Sequence, residues 1–302
     1  MRALKLEDGS VYLDCTLGGA GHSLEAAKRI GPDGVLIGID QDDMALAAAQ
    51  QRLQQVDLVT RPILLKGNFG DLDNLLVQAL FPGVDAVLFD LGVSSPQFDF
   101  PERGFSYRND APLDMRMDPG KHTLTAAEII NTYNEADLAR VFYEYGEEKW
   151  AARIAKFIVE KRATQPIETT FQLVDIIKSA IPAQARKEGG HPAKRTFQAL
   201  RVEVNHEMDV LKKGLEAAIR WLNPGGRIAV MSYQSLEDRI VKEAFRNAAN
   251  PCTCPPDLPV CVCNKKPVLK VLTRKPIRAS EEEIKTNRRA HSALLRVAEK
   301  LD

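Results

Sequence analysis

The chain has 302 residues, of which 44% are hydrophobic and 27% are charged, so it can build a packed core and is not disordered in bulk. Its 41 basic and 41 acidic residues cancel, which excludes a strongly basic protein that coats nucleic acid without specificity. No apolar stretch approaches the roughly 18 residues of a membrane span, and the N-terminus lacks a signal-peptide apolar region. We therefore expect a cytoplasmic protein with no membrane partner.

Residues 11–90 alternate between apolar strands and helices. The predicted strands cover residues 11–15, 35–40, 63–65 and 84–90. The predicted helices between them cover residues 22–30, 42–55 and 71–80. Continuous apolar strands that alternate with helices are typical of a parallel sheet covered on both faces.

The pattern changes beyond the fourth strand, because residues 101–201 contain no convincing strand. Apolar positions three and four residues apart predict helices at residues 123–131, 135–145, 147–162 and 169–181. A long helical stretch follows at residues 196–222, and the α/β pattern then resumes. The last predicted strands cover residues 227–233, 267–272 and 292–297.

These elements predict an α/β protein with a Rossmann-like, seven-stranded and mostly parallel sheet, into which an all-helical domain is inserted. Residues 1–102 and 204–302 form the two parts of the core. Residues 103–203 form the helical insertion, to which we assign substrate recognition.

A glycine-rich turn, DCTLGGAGH, follows the first strand. Gly18, Gly19 and Gly21 would let a ligand approach the backbone and the start of the next helix. The turn does not match the strict dinucleotide-binding motif G-x-G-x-x-G, because Leu24 occupies the position of the third glycine. A purely structural tight turn remains the alternative.

Acidic residues end the second and fourth predicted strands. Asp40 can accept hydrogen bonds from both hydroxyls of a ribose, although a helix cap is the alternative, and Asp42 could provide that cap equally well. Both NAD and S-adenosylmethionine fit such a site. Asp90 is followed by Ser94, Ser95 and Gln97, whose oxygen atoms suit an amino group, whereas no proton donor for nicotinamide chemistry is obvious.

At this point the sequence resembles the bacterial ribosomal small-subunit RNA (cytosine-N4)-methyltransferases over nearly the whole chain. The motifs that carry the resemblance are DCTLGGAGHS at 14–23, GIDQD at 38–42, LFDLGVSSPQFD at 88–99, RGFSY at 103–107, PLDMRMD at 112–118, HPAKRTFQALRVEVN at 191–205, LNPGGRIAVMSYQSLEDR at 222–239 and TRKPI at 273–277.

The resemblance implies a class I methyltransferase fold and S-adenosylmethionine as methyl donor. The implied acceptor is the exocyclic N4 amine of a cytosine in small-subunit (16S) rRNA, within an assembled or nearly assembled 30S subunit. The family's donor-binding positions fall on Ala20, Gly21, His22, Asp40, Phe69, Asp90 and Gln97. We expect Asp40 to bind the ribose and Phe69 to lie against adenine. We expect Asp90, with Ser94 and Ser95, to orient the cytosine amine toward the methyl group of the donor.

The sequence departs from the family pattern at three places. It begins at Met1, just short of a His-x-Pro-Val-Leu-like motif that family members usually carry, so we expect an N-terminus that is either truncated or assigned at the wrong start. Gln234 replaces a usual histidine, and residues 287–294 differ from the usual motif. Two alternatives therefore stay open: a catalytically impaired rRNA-binding assembly factor, and an NAD-dependent oxidoreductase on the same type of sheet. The oligomeric state also stays open.

Two basic clusters could contact RNA phosphates locally. Residues 186–201 include Lys194 and Arg195, and residues 264–278 carry six cations and no acid. A solvated charged face is the alternative for both clusters. The aromatic side chains that could stack on a cytosine, or belong to the core, are Phe98, Phe105 and Tyr107.

The cysteines consist of Cys15 alone and a cluster of four, namely Cys252, Cys254, Cys261 and Cys263. Zinc knuckles prefer two residues between paired cysteines, whereas one residue separates each pair here. We therefore predict reduced thiols and no bound metal, with structural zinc as the alternative.

Overall fold

The computed structural model describes residues 1–55, 62–92, 100–120, 123–187, 190–255 and 262–302. The chain divides into two compact units. The first comprises Met1–Gly92 with Met208–Asp302, and the second comprises Val93–Glu207. The assignment of substrate recognition to the helical insertion stays a prediction.

The first unit is built on an eight-stranded sheet with the order β3-β2-β1-β4-β5-β8-β6, in which β7 also pairs with β8. The strands are β1 (Val11–Asp14), β2 (Val35–Asp40), β3 (Pro62–Lys66), β4 (Val84–Asp90), β5 (Leu222–Ser232), β6 (Leu269–Val271), β7 (Ile277–Arg278) and β8 (Leu294–Lys300). The strands β1 to β5 pair in parallel, whereas β8 is antiparallel to its neighbours. The predicted Rossmann-like, mostly parallel sheet is confirmed, and the two-residue β7 is an addition to it.

The helices follow the predicted segments closely. They are α1 (Gly21–Ile30), α2 (Asp43–Gln54), α3 (Leu72–Gln78), α4 (Ala126–Thr132), α5 (Glu135–Glu144), α6 (Ala151–Arg162), α7 (Thr170–Ala180), α8 (Lys194–Asn205), α9 (Glu207–Trp221), α10 (Ser235–Ala249) and α11 (Glu281–Thr286). The helical stretch predicted at 196–222 breaks at His206, whose φ of 51° ends α8 in the left-handed conformation. Across the described ranges, no helix is both long and apolar enough to span a bilayer.

The central strands are buried, as the apolar runs predicted. Tyr12, Leu13, Ile37 and Phe89 are all fully buried. Because β2, β1 and β4 are adjacent and parallel, the acids that end them lie along one edge of the sheet. This edge is where ligands bind in open α/β sheets.

The start of β5 differs from the prediction, in which this strand begins only at residue 227. The strand begins at Leu222, and its register with β4 shifts between the pairs Val84–Leu222 and Ala86–Arg227. Gly225, with φ of 76°, lies within this irregular part. Residues 223–226 therefore form a bulge inside the strand.

The second unit is helical in the part that the structure describes, apart from an isolated β-bridge between Pro112 and Thr169. Capping boxes begin α4, through Thr125 and Glu128, and α7, through Thr169 and Gln172. The apolar faces of these helices pack into one core. Phe105 is buried in that core, so the idea that it stacks on a cytosine is wrong.

Candidate active site

The glycine-rich loop between β1 and α1 is fixed to the two strands beside it. The N–H of Cys15 donates to the carbonyl of Leu88, and the N–H of Leu17 donates to the carbonyl of Ile39, at 2.9 and 3.0 Å. Gly18 and Ala20 have φ of 48° and 57°, so the backbone turns sharply before α1. Because the first N–H groups of a helix lack partners within it, the start of α1 offers donors to a ligand.

Asp40 joins the glycine-rich loop to the start of α2. Its Oδ2 accepts the N–H of Gly18 and its Oδ1 accepts the N–H of Asp42, each at 2.9 Å. Burial raises the pKa of Asp40 to about 6. Asp42 caps α2 by accepting the N–H of Met44, so the capping alternative for Asp40 is wrong. A carboxylate has about four acceptor positions, and Asp40 can therefore still accept two hydroxyls.

Asp90 is held from three directions at the end of β4. The phenol of Tyr233 donates to Oδ1 at 2.8 Å, and Nε2 of His22 lies 3.4 Å from Oδ2. The Asp90 N–H donates to Oγ1 of Thr16 at 2.7 Å. The hydrogen bond to Asp90 is the main reason that the pKa of His22 is raised. This arrangement fixes the orientation of a half-exposed carboxylate at the sheet edge.

Asp14 lies beneath this site and is fully buried. It accepts a hydrogen bond from Oγ of Ser23 at 2.7 Å and from the N–H of Thr16 at 3.1 Å. Burial raises the pKa of Asp14. Ser23 belongs to α1, and Thr16 accepts the hydrogen bond from the Asp90 N–H. The Asp14 carboxylate therefore supports both α1 and Thr16. This role was not predicted from the sequence, although Asp14 ends a strand as Asp40 and Asp90 do.

Arg52 is a second residue that sequence reasoning missed. Its Nη1 donates to the carbonyl of Gly19 at 3.0 Å, which holds the glycine-rich loop from the side of α2. A Cβ added at Gly19 or Gly21 would meet only this Nη1, at 3.8 Å, among the described atoms within 4 Å. The loop backbone is therefore open to a ligand.

Phe69 lies just after β3, where adenine contact was predicted. Its ring packs edge-on against Phe89, with centroids 5.3 Å apart, and remains partly exposed. Gly214 of α9 packs close to it, because an added Cβ would lie 2.6 Å from the ring. The predicted site residues Ser94, Ser95 and Gln97 lie outside the described residues, as does Phe98.

In the second unit, Lys194 and Arg195 are exposed in the first turn of α8. Arg195 donates to the carbonyl of Glu147 at 2.9 Å. Near this turn, Tyr107 stacks on His191 with ring centroids 4.4 Å apart. The two rings help to line a cavity of about 300 Å³, together with Arg108, Phe171, Val174, Asp175 and Lys178.

The parallel sheet, the open glycine-rich loop and the strand-end acids are the features that a class I, S-adenosylmethionine-dependent methyltransferase requires. A profile of the MraW methylase family matches residues 1–301, and the chain belongs to this family. The residues fit the donor, because Asp40 keeps acceptors for a ribose and, among the described residues, only Arg52 approaches Gly19 and Gly21. Membership of this methylase family shows that the oxidoreductase alternative is wrong.

The chain is similar over its full length to proteins named ribosomal RNA small subunit methyltransferase H. It is 57% identical over 302 residues to the protein from Symbiobacterium thermophilum, covering 100% of this chain and 94% of the relative. It is 51% identical over 298 residues to the one from Halothermothrix orenii, covering 99% and 94%. It is 52% identical over 301 residues to the one from Brevibacillus brevis, covering 100% and 95%.

Proposed function

We propose that the protein methylates the exocyclic N4 amine of a cytosine in small-subunit (16S) rRNA. The observation that carries this proposal is the orientation of Asp90. Tyr233 and His22 contact its two different oxygens, and the carboxylate stays partly exposed at the edge of the sheet beside the glycine-rich loop. The names of the relatives support small-subunit rRNA as the acceptor.

Donor binding would use groups that the first unit already presents. The backbone at Ala20, Gly21 and His22 would face the methionine part, and Asp40 would accept the ribose hydroxyls. Phe69 would offer its exposed face to adenine. S-adenosylmethionine supplies an electrophilic methyl group on a sulfonium sulfur.

The acceptor amine is a poor nucleophile, because its lone pair is delocalised into the cytosine ring. Asp90 would accept one of its N–H groups and aim the nitrogen at the methyl group, while Ser94, Ser95 and Gln97 would contribute further acceptors. Positioning of this kind can lower a barrier by about 7–11 kcal/mol in the best cases. The amine proton becomes acidic only once the new bond forms, so Asp90 acts mainly by orientation and water can take the proton.

We assign RNA recognition to the helical second unit and to the basic segment, which we define as residues 264–278. Lys194 and Arg195 are exposed, and so are all six cations of the basic segment. The stacked pair of Tyr107 and His191 presents aromatic surface beside the cations Arg108 and Lys178. The proposed substrate is rRNA within an assembled or nearly assembled 30S subunit, which places the reaction in the cytoplasm.

The test is methyl transfer from labelled S-adenosylmethionine to 30S subunits from cells that lack the modification, followed by nucleoside mass spectrometry. We expect label in N4-methylcytidine and none with subunits that already carry the modification. Free 16S rRNA is the comparison for the assembled substrate. Label on another base or on a ring carbon would contradict the proposal, and binding without transfer would identify the protein as an assembly factor.

A further inference from the structure

The loop that joins α10 to β6 has no buried side chain in the residues that the structure describes, which are 250–255 and 262–268. Backbone hydrogen bonds fix its two ends: the N–H of Asn250 donates to the carbonyl of Arg246, and the N–H of Val268 to the carbonyl of Ala248. Hydrophobic packing therefore does not order the described residues between these ends, which leaves a role for another interaction.

Three cysteines of this loop converge in space. The sulfur atoms of Cys252, Cys254 and Cys263 all lie within 4.8 Å of one another, and those of Cys252 and Cys263 are 3.8 Å apart. A disulfide would require about 2.05 Å. In a tetrahedral zinc site with Zn–S bonds of about 2.3 Å, neighbouring sulfurs are about 3.8 Å apart. The distance between the sulfurs of Cys252 and Cys263 matches that of thiolates around one metal ion, and the other two distances do not exceed 4.8 Å.

We propose that Cys252, Cys254 and Cys263 bind a structural Zn²⁺ ion that closes the loop between α10 and β6. Soft thiolate ligands favour zinc over magnesium or calcium, which prefer oxygen. Cys261, the remaining thiol of the cluster, lies outside the described residues.

The single-residue spacing made zinc the less favoured alternative in the sequence analysis, because a knuckle uses two residues between its cysteines. The structure brings the ligands together in another way. Cys252 and Cys254 follow α10, whereas Cys263 lies on the part of the loop that leads into β6. The loop brings Cys263 back to the other two cysteines. Asn264, with φ of 52°, turns the chain immediately after that cysteine. None of the residues assigned to the methyl donor or to the cytosine amine lies on this loop, which carries only Lys265 and Lys266 of the basic segment, so the role of the metal is structural.

The test measures metal in the full-length protein. After purification and extensive dialysis, elemental analysis should find one zinc per chain, and Co²⁺ added to the metal-free protein should give the visible and near-ultraviolet bands of tetrahedral thiolate coordination. Cys254→Ser and Cys263→Ser should each weaken binding by more than about 10-fold, since even outer-shell changes cost about that much. Cys15→Ala, which removes a thiol outside the cluster, should bind metal normally.

A second measurement does not depend on the variants folding. Chelation of the wild-type protein should accelerate protease cleavage between α10 and β6, while S-adenosylmethionine affinity changes less than 2-fold. Restored zinc should restore protection. A protein that retains no metal and binds no Co²⁺ would overturn the proposal, as would iron with acid-labile sulfide, which indicates a cluster instead.

Discussion

The phenol of Tyr233 donates a 2.8 Å hydrogen bond to Oδ1 of Asp90 and so joins the ends of two neighbouring strands, β5 and β4. Burial, followed by the charge of Asp90, raises the pKa of Tyr233, so the phenol remains a donor at any working pH. His22 contacts the other carboxylate oxygen. Asp90 is thus oriented by two side chains that have no role in binding the methyl donor's ribose.

Tyr233→Phe should therefore slow methyl transfer by about 2- to 10-fold, which corresponds to the loss of one hydrogen bond of about 0.5–1.5 kcal/mol. Single-turnover rates, measured with S-adenosylmethionine in saturating excess, would show this effect. If Tyr233 only packs against its neighbours, the melting temperature changes and the single-turnover rate does not.

Asp90→Ala should lower the methylation rate by about 100-fold or more, because a misplaced nucleophile loses at least that much. The fold should survive, since the carboxylate is partly exposed and lies at the sheet edge. Circular dichroism and gel filtration serve as controls. An unfolded variant would show that Asp90 is structural, and Asp90→Asn, which keeps the shape, would then separate charge from packing.

Asp40 and Asp90 could be predicted from the sequence because each follows its own apolar run. The order β2-β1-β4 brings them to one edge together with Asp14, whose role was not predicted. The contacts of Tyr233 and Arg52 could not be predicted in this way. They join residues far apart in the chain, and they depend on which strands are neighbours and on how α2 lies against the loop.

The cysteine cluster and the bulge in β5 show a second limit of sequence reasoning. Spacing rules describe ligands on one local turn, whereas here Cys263 returns from the far end of a long loop to meet Cys252. The NPGG segment has the composition of a turn, yet the pairing of β5 with β4 resumes on both sides of it. In both cases long-range pairing overrides the local pattern.

Asp40 should make donor binding depend on pH. Its pKa is raised to about 6 by burial, and only the ionised carboxylate accepts hydrogen bonds at both oxygens. We expect S-adenosylmethionine affinity, measured by calorimetry, to fall as the pH is lowered through about 6. Asp40→Ala should weaken binding by about 1–3 kcal/mol at neutral pH and remove this dependence. An unchanged affinity would contradict the ribose assignment.

The same group predicts a change in stability. Because the folded-state pKa of Asp40 is above its ordinary value of 3.8, the folded state binds this proton more tightly than the unfolded state does. The contribution of this proton to the free energy of unfolding is therefore fully present below about pH 4 and is lost as the pH rises through about 6. Without donor present, Asp40→Asn should reduce the change in melting temperature between those two pH values.

Gly214→Ala should displace the ring of Phe69, because the new Cβ would lie 2.6 Å from that ring and 3.1 Å from the Phe69 carbonyl oxygen. Overpacking of this kind costs about 1–3 kcal/mol of unfolding free energy. Denaturant unfolding should show lower stability, and calorimetric titration should show weaker donor binding.

Lys213→Ala, at the exposed neighbouring position of α9, is the matched control and should change neither quantity. Normal donor affinity in Gly214→Ala would argue against contact between Phe69 and adenine.

Replacing Lys194 and Arg195 together with Ala should weaken rRNA binding and flatten its salt dependence by about 2 in the log–log slope, roughly one for each phosphate that is no longer neutralised. Both side chains are exposed at the start of α8, where the positive end of the helix adds to their attraction for phosphate. S-adenosylmethionine affinity should stay within error.

Arg153 and Lys156, an exposed cationic pair on α6, give a control with the same loss of charge. If the control pair flattens the slope equally, or the Lys194 and Arg195 variant leaves it unaltered, this patch is a solvated charged face and does not belong to the RNA-binding surface.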